Sequence, residues 1–174
     1  MQAEPRLTPT SYIVLGLLDA AGEATPYDLK QMLALSVGNF WTVQHSALYA
    51  EPERLAAAGY VTERREQGGR RRRRYRIAAK GRRALREWAA EPTAAPTELR
   101  DPGLLKLFFG ADPSRLAAPQ LEAHSAKLAE YESMHAGLVS LGGAAGPRLA
   151  LEAGIAHERE WVRYWRRLAE GGST

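Results

Sequence analysis

One change in hydrophobic periodicity restricts the fold of the N-terminal half more than any other feature. Up to Gly59 the apolar residues recur at intervals of three and four, which is typical of amphipathic helices. Beyond Gly59, strand-like segments at 60–62 and 75–77 flank a Gly68-Gly69 turn, which predicts a β-hairpin. A further helical stretch follows the hairpin. Three helices, a hairpin and a helix in this order predict a winged helix-turn-helix.

Threonine followed by proline marks two of the helix starts, because a hydroxyl can cap the first turn and proline fits the first helical position. These pairs are Thr8-Pro9 and Thr25-Pro26. Glycines predict the helix ends. We expect the first helix to end at Gly22, the second at Gly38, the third to run from Thr42 or Val43 to Gly59, and the fourth from about residue 79 to residue 90.

Positive charge is concentrated in the predicted hairpin and the helix after it. Residues 60–90 contain twelve Lys or Arg and three Asp or Glu, a net charge of +9, whereas the whole chain carries +4 and the remainder therefore −5. A polyphosphate backbone suits such a patch, because arginines that neutralise phosphates release condensed counterions. The alternative is a charge run that is simply solvated.

Docking of a helix-turn-helix brings the start of its third helix to the base edges of a duplex. Here Gln44 and His45 are suited to base edges, and Ser46 and Tyr49 to phosphate oxygens. His45 could instead be merely exposed, Ser46 a helix cap and Tyr49 an aromatic at the core edge. The wing arginines expected at phosphates or in the minor groove are Arg64, Arg70, Arg71, Arg72, Arg73 and Arg74.

Two prolines in 92–97 indicate a linker that separates a DNA-binding domain, 1–91, from a second domain, 98–174. The second domain is predicted to be helical, with a short helix at 104–109, a longer one that starts at Asp112-Pro113, and a last one from about Pro147 to Glu170. Gly142-Gly143 separates the two long helices. The overall fold class is therefore mainly α with one small hairpin.

The two long helices carry wide apolar faces that a pair of helices alone cannot cover. On the first, Leu121, His124, Leu128, Tyr131, His135 and Leu138 follow one another at the spacing of a coiled-coil seam. A second copy is the simplest partner, which makes this an antiparallel helical dimerisation domain. The alternative is packing against the N-terminal domain. The residues expected at the dimer contact are Leu121, Leu128, Tyr131, Leu138, Ile155, Val162 and Trp165.

Several classes of protein are disfavoured by the composition. There is no cysteine, which removes disulfides and thiolate metal sites, and no apolar run approaches the roughly 20 residues that span a bilayer. The first residues lack the features of a signal peptide. Neither a nucleophile–base pair nor a phosphate-binding glycine loop is present. We therefore expect a cytoplasmic protein without enzyme activity, membrane association, metal or cofactor.

Short motifs throughout the chain resemble the PadR-type transcriptional regulators. They include Leu7-Thr8-Pro9-Thr10-Ser11-Tyr12, Leu15-Gly16-Leu17-Leu18, Pro26-Tyr27-Asp28-Leu29, Phe40-Trp41, Ser46-Ala47-Leu48-Tyr49, Gly59-Tyr60-Val61, Arg74-Tyr75-Arg76-Ile77 and Leu104-Leu105-Lys106-Leu107-Phe108-Phe109-Gly110. One departure is Pro52, which stands where the family usually has a leucine. Proline within a helix removes a backbone hydrogen bond at a cost of about 3 kcal/mol, and the exchange also removes an apolar anchor.

The resemblance implies a dimer that binds DNA, and in some members aromatic residues near the domain junction line a pocket for phenolic or drug-like effectors. The corresponding candidates here are Trp41, Trp88 and Trp161, although tryptophans are more often core or interface residues. The sequence therefore predicts a repressor that binds a palindromic operator as a homodimer and responds to a small aromatic effector. The rivals are a basic winged-helix module that binds RNA or protein, and a ligand-binding or enzymatic helical protein whose arginine run is incidental.

Overall fold

The computed structural model describes residues 5–65 and 72–171 and divides the chain into two compact units, Met1–Ala95 and Pro96–Thr174. The first unit contains α1 (Pro9–Ala21), α2 (Pro26–Ala34), a 3₁₀ turn (Val37–Asn39), α3 (Ala47–Ala57), β1 (Val61–Arg65), β2 (Arg73–Ile77) and α4 (Ala79–Ala90). The second contains α5 (Pro102–Phe108), α6 (Pro113–Ser140) and α7 (Ala145–Ala169). The predicted winged helix-turn-helix, mainly helical with one hairpin, is confirmed.

Local capping explains why α1 and α2 begin where the sequence predicts. In each helix the threonine side chain accepts a hydrogen bond from the backbone N–H three residues later, and the side chain at that position accepts one from the threonine N–H in return. The reciprocal partner is Ser11 for Thr8 and Asp28 for Thr25. Gly22 ends α1 at φ 74°, a left-handed conformation that favours glycine.

The second helix ends earlier than predicted, at Ala34 instead of Gly38. The Ser36 hydroxyl donates a hydrogen bond to the Met32 carbonyl oxygen at 2.6 Å, and the chain then turns back on the helix end as a 3₁₀ turn. Gly38 is required in that turn because a Cβ there would lie 2.7 Å from the Leu33 carbonyl oxygen. Its role is thus a close backbone approach after the helix.

The third helix starts at Ala47, later than the predicted Thr42 or Val43. Residues 42–44 are not helical, and Val43 packs against the core of the unit. The chain then forms a tight turn, in which the Ala47 N–H donates a hydrogen bond to the Gln44 carbonyl (3.0 Å) and the Leu48 N–H donates one to the His45 carbonyl (3.2 Å). These bonds span three residues, so regular α-helix begins only after them.

Proline at position 52 lies inside α3 and is fully buried. The expected loss of an apolar anchor is therefore wrong, because the ring itself fills a core position beside Leu48 and Leu55, which are also fully buried. The end of α3 agrees with the prediction: Gly59 follows the helix with φ 76°.

The hairpin pairs β1 with β2 in antiparallel register and divides its side chains between two faces. Val61 opposite Ile77 and Glu63 opposite Tyr75 lie on the inner face, whereas Arg64 opposite Arg74 lies on the outer face. Val61, Tyr75 and Ile77 are buried in the core formed with α1, α2 and α3. The predicted Gly68-Gly69 turn lies outside the described residues.

The start of α4 is pressed against this core. A Cβ added to Gly81 would lie 2.2 Å from the Tyr60 carbonyl oxygen and about 3 Å from Ile77 and Leu15 side chains, so only glycine fits. The Lys80 ammonium donates a hydrogen bond to the Ala58 carbonyl (3.0 Å) and lies 4.2 Å above the Tyr60 ring. These contacts bind α4 to the junction of α3 and β1.

The second unit is an antiparallel pair of long helices with α5 at one side. Successive contacts run in opposite directions along α6 and α7, from His124–Glu158 through Tyr131–Gly154 to His135–Glu152. Gly154 lies against the Tyr131 ring, where a Cβ would come within 3.0 Å. Among residues 5–65 and 72–171, no helix combines the length and apolar character needed to cross a bilayer.

Candidate nucleic-acid interface

The turn before α3 presents the residues predicted to read bases. Gln44, His45 and Ser46 are exposed, and their backbone carbonyls form the first turn of the helix. Ser46 occupies the N-cap position but its side chain makes no capping hydrogen bond. The three side chains thus point away from the core just ahead of the helix, instead of lying within its first turn as predicted. Their assignment to base edges or phosphates remains a prediction.

A cleft lies between α3 and the β1–β2 hairpin, which is the wing of this fold. It has a volume of about 600 Å³ and is lined by residues of α2, α3 and β2 or just before them, namely Thr25, Pro26, Tyr27, Asp28, Tyr49, Glu53, Arg72, Arg73 and Tyr75. Tyr49 is half-exposed here, beside the more exposed Tyr27. Its assignment to a phosphate oxygen stays a prediction.

Outer-face arginines of the wing surround one carboxylate. Arg64 donates two hydrogen bonds to Glu23, from Nε at 3.3 Å and from Nη2 at 3.1 Å. The Arg64 hydrogen bond is the main cause that holds the pKa of Glu23 below its usual value; desolvation opposes it, and the charges of Arg64, Arg76 and Arg74 add to it. The Arg64 side chain nevertheless remains 65% exposed, so it can still reach a phosphate.

Inner-face arginines meet two further carboxylates. Arg65 Nε donates to Glu63 Oε1 at 2.8 Å, and Arg73 Nε lies 3.7 Å from the same oxygen. Arg73 also donates from Nη1 to Glu53, which projects from α3. The Arg65 bond is the main reason that the pKa of Glu63 lies below its usual value. This face of the wing is therefore partly neutralised.

The predicted arginine run is only partly within the described residues. Arg72 is exposed, and Arg73 and Arg74 are half-buried. Arg70 and Arg71 lie outside the described residues. A count along the sequence could not detect that Glu23 and Glu53 pair with the wing, since both are distant from it in the chain.

A second network, which the sequence did not reveal, holds α3 against α1. Arg54 Nη2 donates to the Ser11 hydroxyl at 3.0 Å and to Glu51 Oε1 at 2.6 Å, and Nη1 donates to the Arg6 carbonyl at 3.3 Å. Burial would raise the pKa of Glu51, but the bonds and charge of Arg54 and a bond from Ser11 outweigh it and keep the carboxylate ionised. The network fixes the orientation of the helix that carries Tyr49 and Glu53.

Residues predicted to form the dimer contact divide into two groups. Tyr131, Ile155, Val162 and Trp165 are already buried by their own chain, between α6 and α7 or beneath α5. This departs from the expectation that they offer surface to a second copy, because the seam of α6 faces α7 within the chain. Leu121, Leu128 and Leu138 remain partly exposed, whereas Leu105, Phe108 and Phe109 of α5 and its C-cap are strongly exposed.

The three tryptophans expected at an effector pocket are divided between the two units, with Trp41 and Trp88 in the first and Trp161 in the second. Trp88 stacks on Tyr12 at a centroid distance of 4.6 Å, Trp41 is half-exposed after the 3₁₀ turn, and neither lines the cleft beside the wing. Trp161 belongs to the second unit, where it stacks on His124 and donates to His157 at 2.7 Å. In the described part of the chain no three His, Asp or Glu side chains converge as a metal site.

Comparisons with known proteins agree with this architecture. Residues 14–87 match the Transcriptional regulator PadR-like family, and residues 99–170 match the Virulence activator alpha C-term family. The Negative transcriptional regulator PadR of Bacillus subtilis (strain 168) is 29% identical over 136 residues, which are 74% of each chain.

Solved structures of the B. subtilis protein share the fold. Its complex with operator DNA has a TM-score of 0.80 at 24% identity, covering 95% of this chain and 99% of that one. Its complex with p-coumaric acid has a TM-score of 0.73 at 24% identity, covering 97% and 100%. These findings support a PadR-type transcriptional regulator, since the first unit matches the PadR-like family model and the chain shares the fold of the B. subtilis protein.

Proposed function

We propose that this protein is a sequence-specific DNA-binding repressor that occupies a palindromic operator as a homodimer. The observation that carries the proposal is the exposed turn at Gln44, His45 and Ser46, held beside an arginine-rich wing on a fold shared with a protein solved on operator DNA. In this mechanism the turn and the start of α3 enter the major groove, and the wing contacts the neighbouring backbone. Bound at a promoter, the dimer blocks polymerase sterically.

The wing supplies the sequence-independent part of the binding energy. Arg64, Arg72 and Arg74 provide cationic side chains that reach or approach solvent, and Arg70 and Arg71 belong to the same run. Tyr49 contributes a hydroxyl suited to a phosphate oxygen at the edge of the cleft. Such a regulator acts on the chromosome, so the proposal includes a cytoplasmic location.

Dimerisation is assigned to the C-terminal unit. The exposed apolar side chains Leu105, Phe108 and Phe109, together with the partly exposed Leu121, Leu128 and Leu138, are the surface that a second copy would cover. Tyr131, Ile155, Val162 and Trp165 support that surface from beneath, since they hold α6 and α7 together. A two-fold dimer presents two recognition turns to a palindrome about one helical turn apart.

A small aromatic effector completes the proposed mechanism. The support is the relative solved with p-coumaric acid and three tryptophans that are exposed or partly exposed, Trp41, Trp88 and Trp161. Release from DNA requires that the effector bind more tightly to a form in which the two wings no longer match adjacent grooves.

Selection of bound fragments from the organism's own genomic DNA tests the function and identifies the operator together. We expect recovery of a palindromic site near a promoter, protection of that site from nuclease, and a particle mass of two chains in light scattering. Binding that is equal on all duplexes, or a preference for RNA, would support the rival winged-helix module. A monomer that ignores its own promoter region at low salt would contradict the proposal.

A further inference from the structure

A carboxylate on α3 forms an ion pair with one of the wing arginines. Glu53 lies one helical turn beyond Tyr49 and accepts a hydrogen bond from Arg73 Nη1. The Arg73 and Glu53 side chains are 39% and 55% exposed, so the pair lies at the protein surface. Both residues line the cleft between α3 and the wing. The acid thus stands on the surface assigned to DNA, where a second anion is unfavourable.

Arg73 is held from two sides. Its Nε lies 3.7 Å from Glu63 Oε1 on the neighbouring strand, while Glu53 takes the Nη1 donor from the helix. A carboxylate presents two oxygens to a guanidinium as a phosphate does, so it competes for the same donors. The Arg64–Glu23 pair differs, since Glu23 lies between α1 and α2, next to the bridge of Ala24 with Tyr75, and its arginine is 65% exposed. Arg73 is the more restrained of the two.

Resting on the proposed function, we propose that Glu53 lowers the affinity of this protein for DNA of any sequence by occupying Arg73 and by repelling the phosphate backbone. Contacts to bases are unaffected, so the preference for the operator stays while occupancy of other chromosomal DNA falls. Non-specific complexes depend almost wholly on phosphate contacts and therefore feel such a charge most directly.

Glu53→Gln is the test, because glutamine keeps the size and polarity of the side chain and removes only the charge. We expect binding to a random-sequence duplex to strengthen about three- to tenfold at low salt. The plot of log K against log salt should steepen by about 0.9, the value of one more phosphate contact, between about 50 and 200 mM salt. The operator should gain by a similar factor.

Two further variants make the result specific. Glu87→Gln changes the net charge equally at an exposed position of α4 and should leave the slope as in the wild type. In a background of Arg73→Gln, the change at Glu53 should no longer steepen the slope, because the released guanidinium is absent. Thermal melting by circular dichroism verifies that each variant is folded.

The outcomes separate this inference from the function on which it rests. A wild-type protein that binds no duplex contradicts the proposed function. Suppose instead that the wild type binds DNA, but the Glu53→Gln variant has the same salt slope as the wild type or a lower affinity for DNA. The proposed function then stands, and the role of Glu53 is overturned. Weaker binding together with a lower melting temperature would show that Glu53 only fastens the wing to α3.

Discussion

Replacing Arg72, Arg73 and Arg74 together by alanine removes the part of the arginine run that the structure describes at the start of β2. Each arginine that neutralises a phosphate contributes about 0.9 to the slope of log K against log salt, so three phosphate contacts would contribute about 2.7. The structure reduces this number. Arg73 is bound to Glu53 and lies close to Glu63, and we expect it to add little.

The phosphate contacts of Arg72 and Arg74 then give an expected loss of about 1.8 in the slope of log K against log salt. Over a fourfold change of salt, from about 50 to 200 mM, the ratio of wild-type to variant affinity should then shrink by about tenfold. The same loss is expected on operator and on random duplex, since phosphates carry no sequence information.

Fluorescence anisotropy with labelled duplexes at several salt concentrations measures both slopes. A matched control is alanine at Arg163, Arg166 and Arg167, three exposed residues of α7 whose removal changes the net charge equally. Parallel salt plots for the wild type and the wing variant would refute the assignment of the wing to phosphates. An equal effect of the α7 variant would show that only the overall charge matters.

Three further changes test the turn, the capping and the packing. Gln44→Ala should reduce the preference for operator over random duplex by about 1–3 kcal/mol in competition binding, whereas equal losses on both would exclude base reading. Asp28→Asn should lower the free energy of unfolding in urea by about 0.5–1 kcal/mol at neutral pH. The hydrogen bond from the Thr25 N–H holds the pKa of Asp28 below its ordinary value of 3.8. The difference in unfolding free energy between wild type and variant should therefore be complete above pH 3.8 and disappear as the pH falls through the lowered pKa. A difference that does not depend on pH would contradict this reasoning. Gly81→Ala should cost about 1–3 kcal/mol or more in the same assay, because its methyl group would meet the Tyr60 carbonyl; an unchanged midpoint would show that α4 can shift.

Helix starts were predictable because their causes are local. A hydroxyl three residues before its partner closes a capping box without help from the rest of the chain, and both Thr8 and Thr25 do so. The glycines at 22 and 59 adopt positive φ after their helices for the same kind of reason. The start of α3 was not predictable, since Val43 is held out of the helix by packing against the core.

The candidate base-reading residues Gln44 and His45 are exposed, although they precede the helix instead of belonging to it, and their role stays a prediction. The acidic partners of the wing were missed because Glu23 and Glu53 are 41 and 20 residues away from their arginines. Pairing over such separations depends on how α3 and the hairpin pack together, which periodicity does not reveal.

The amino-acid sequence alone determined the order of helices and strands and the position of the arginine-rich wing, because caps, glycines and alternation act over a few residues. Tertiary structure decided which charges remain available and which apolar residues remain exposed. Arg73 is engaged and Trp165 is buried only because α3 meets the wing and α7 meets α5 and α6. Electrostatic neutralisation and burial both depend on distance in space, and separation along the chain does not determine that distance.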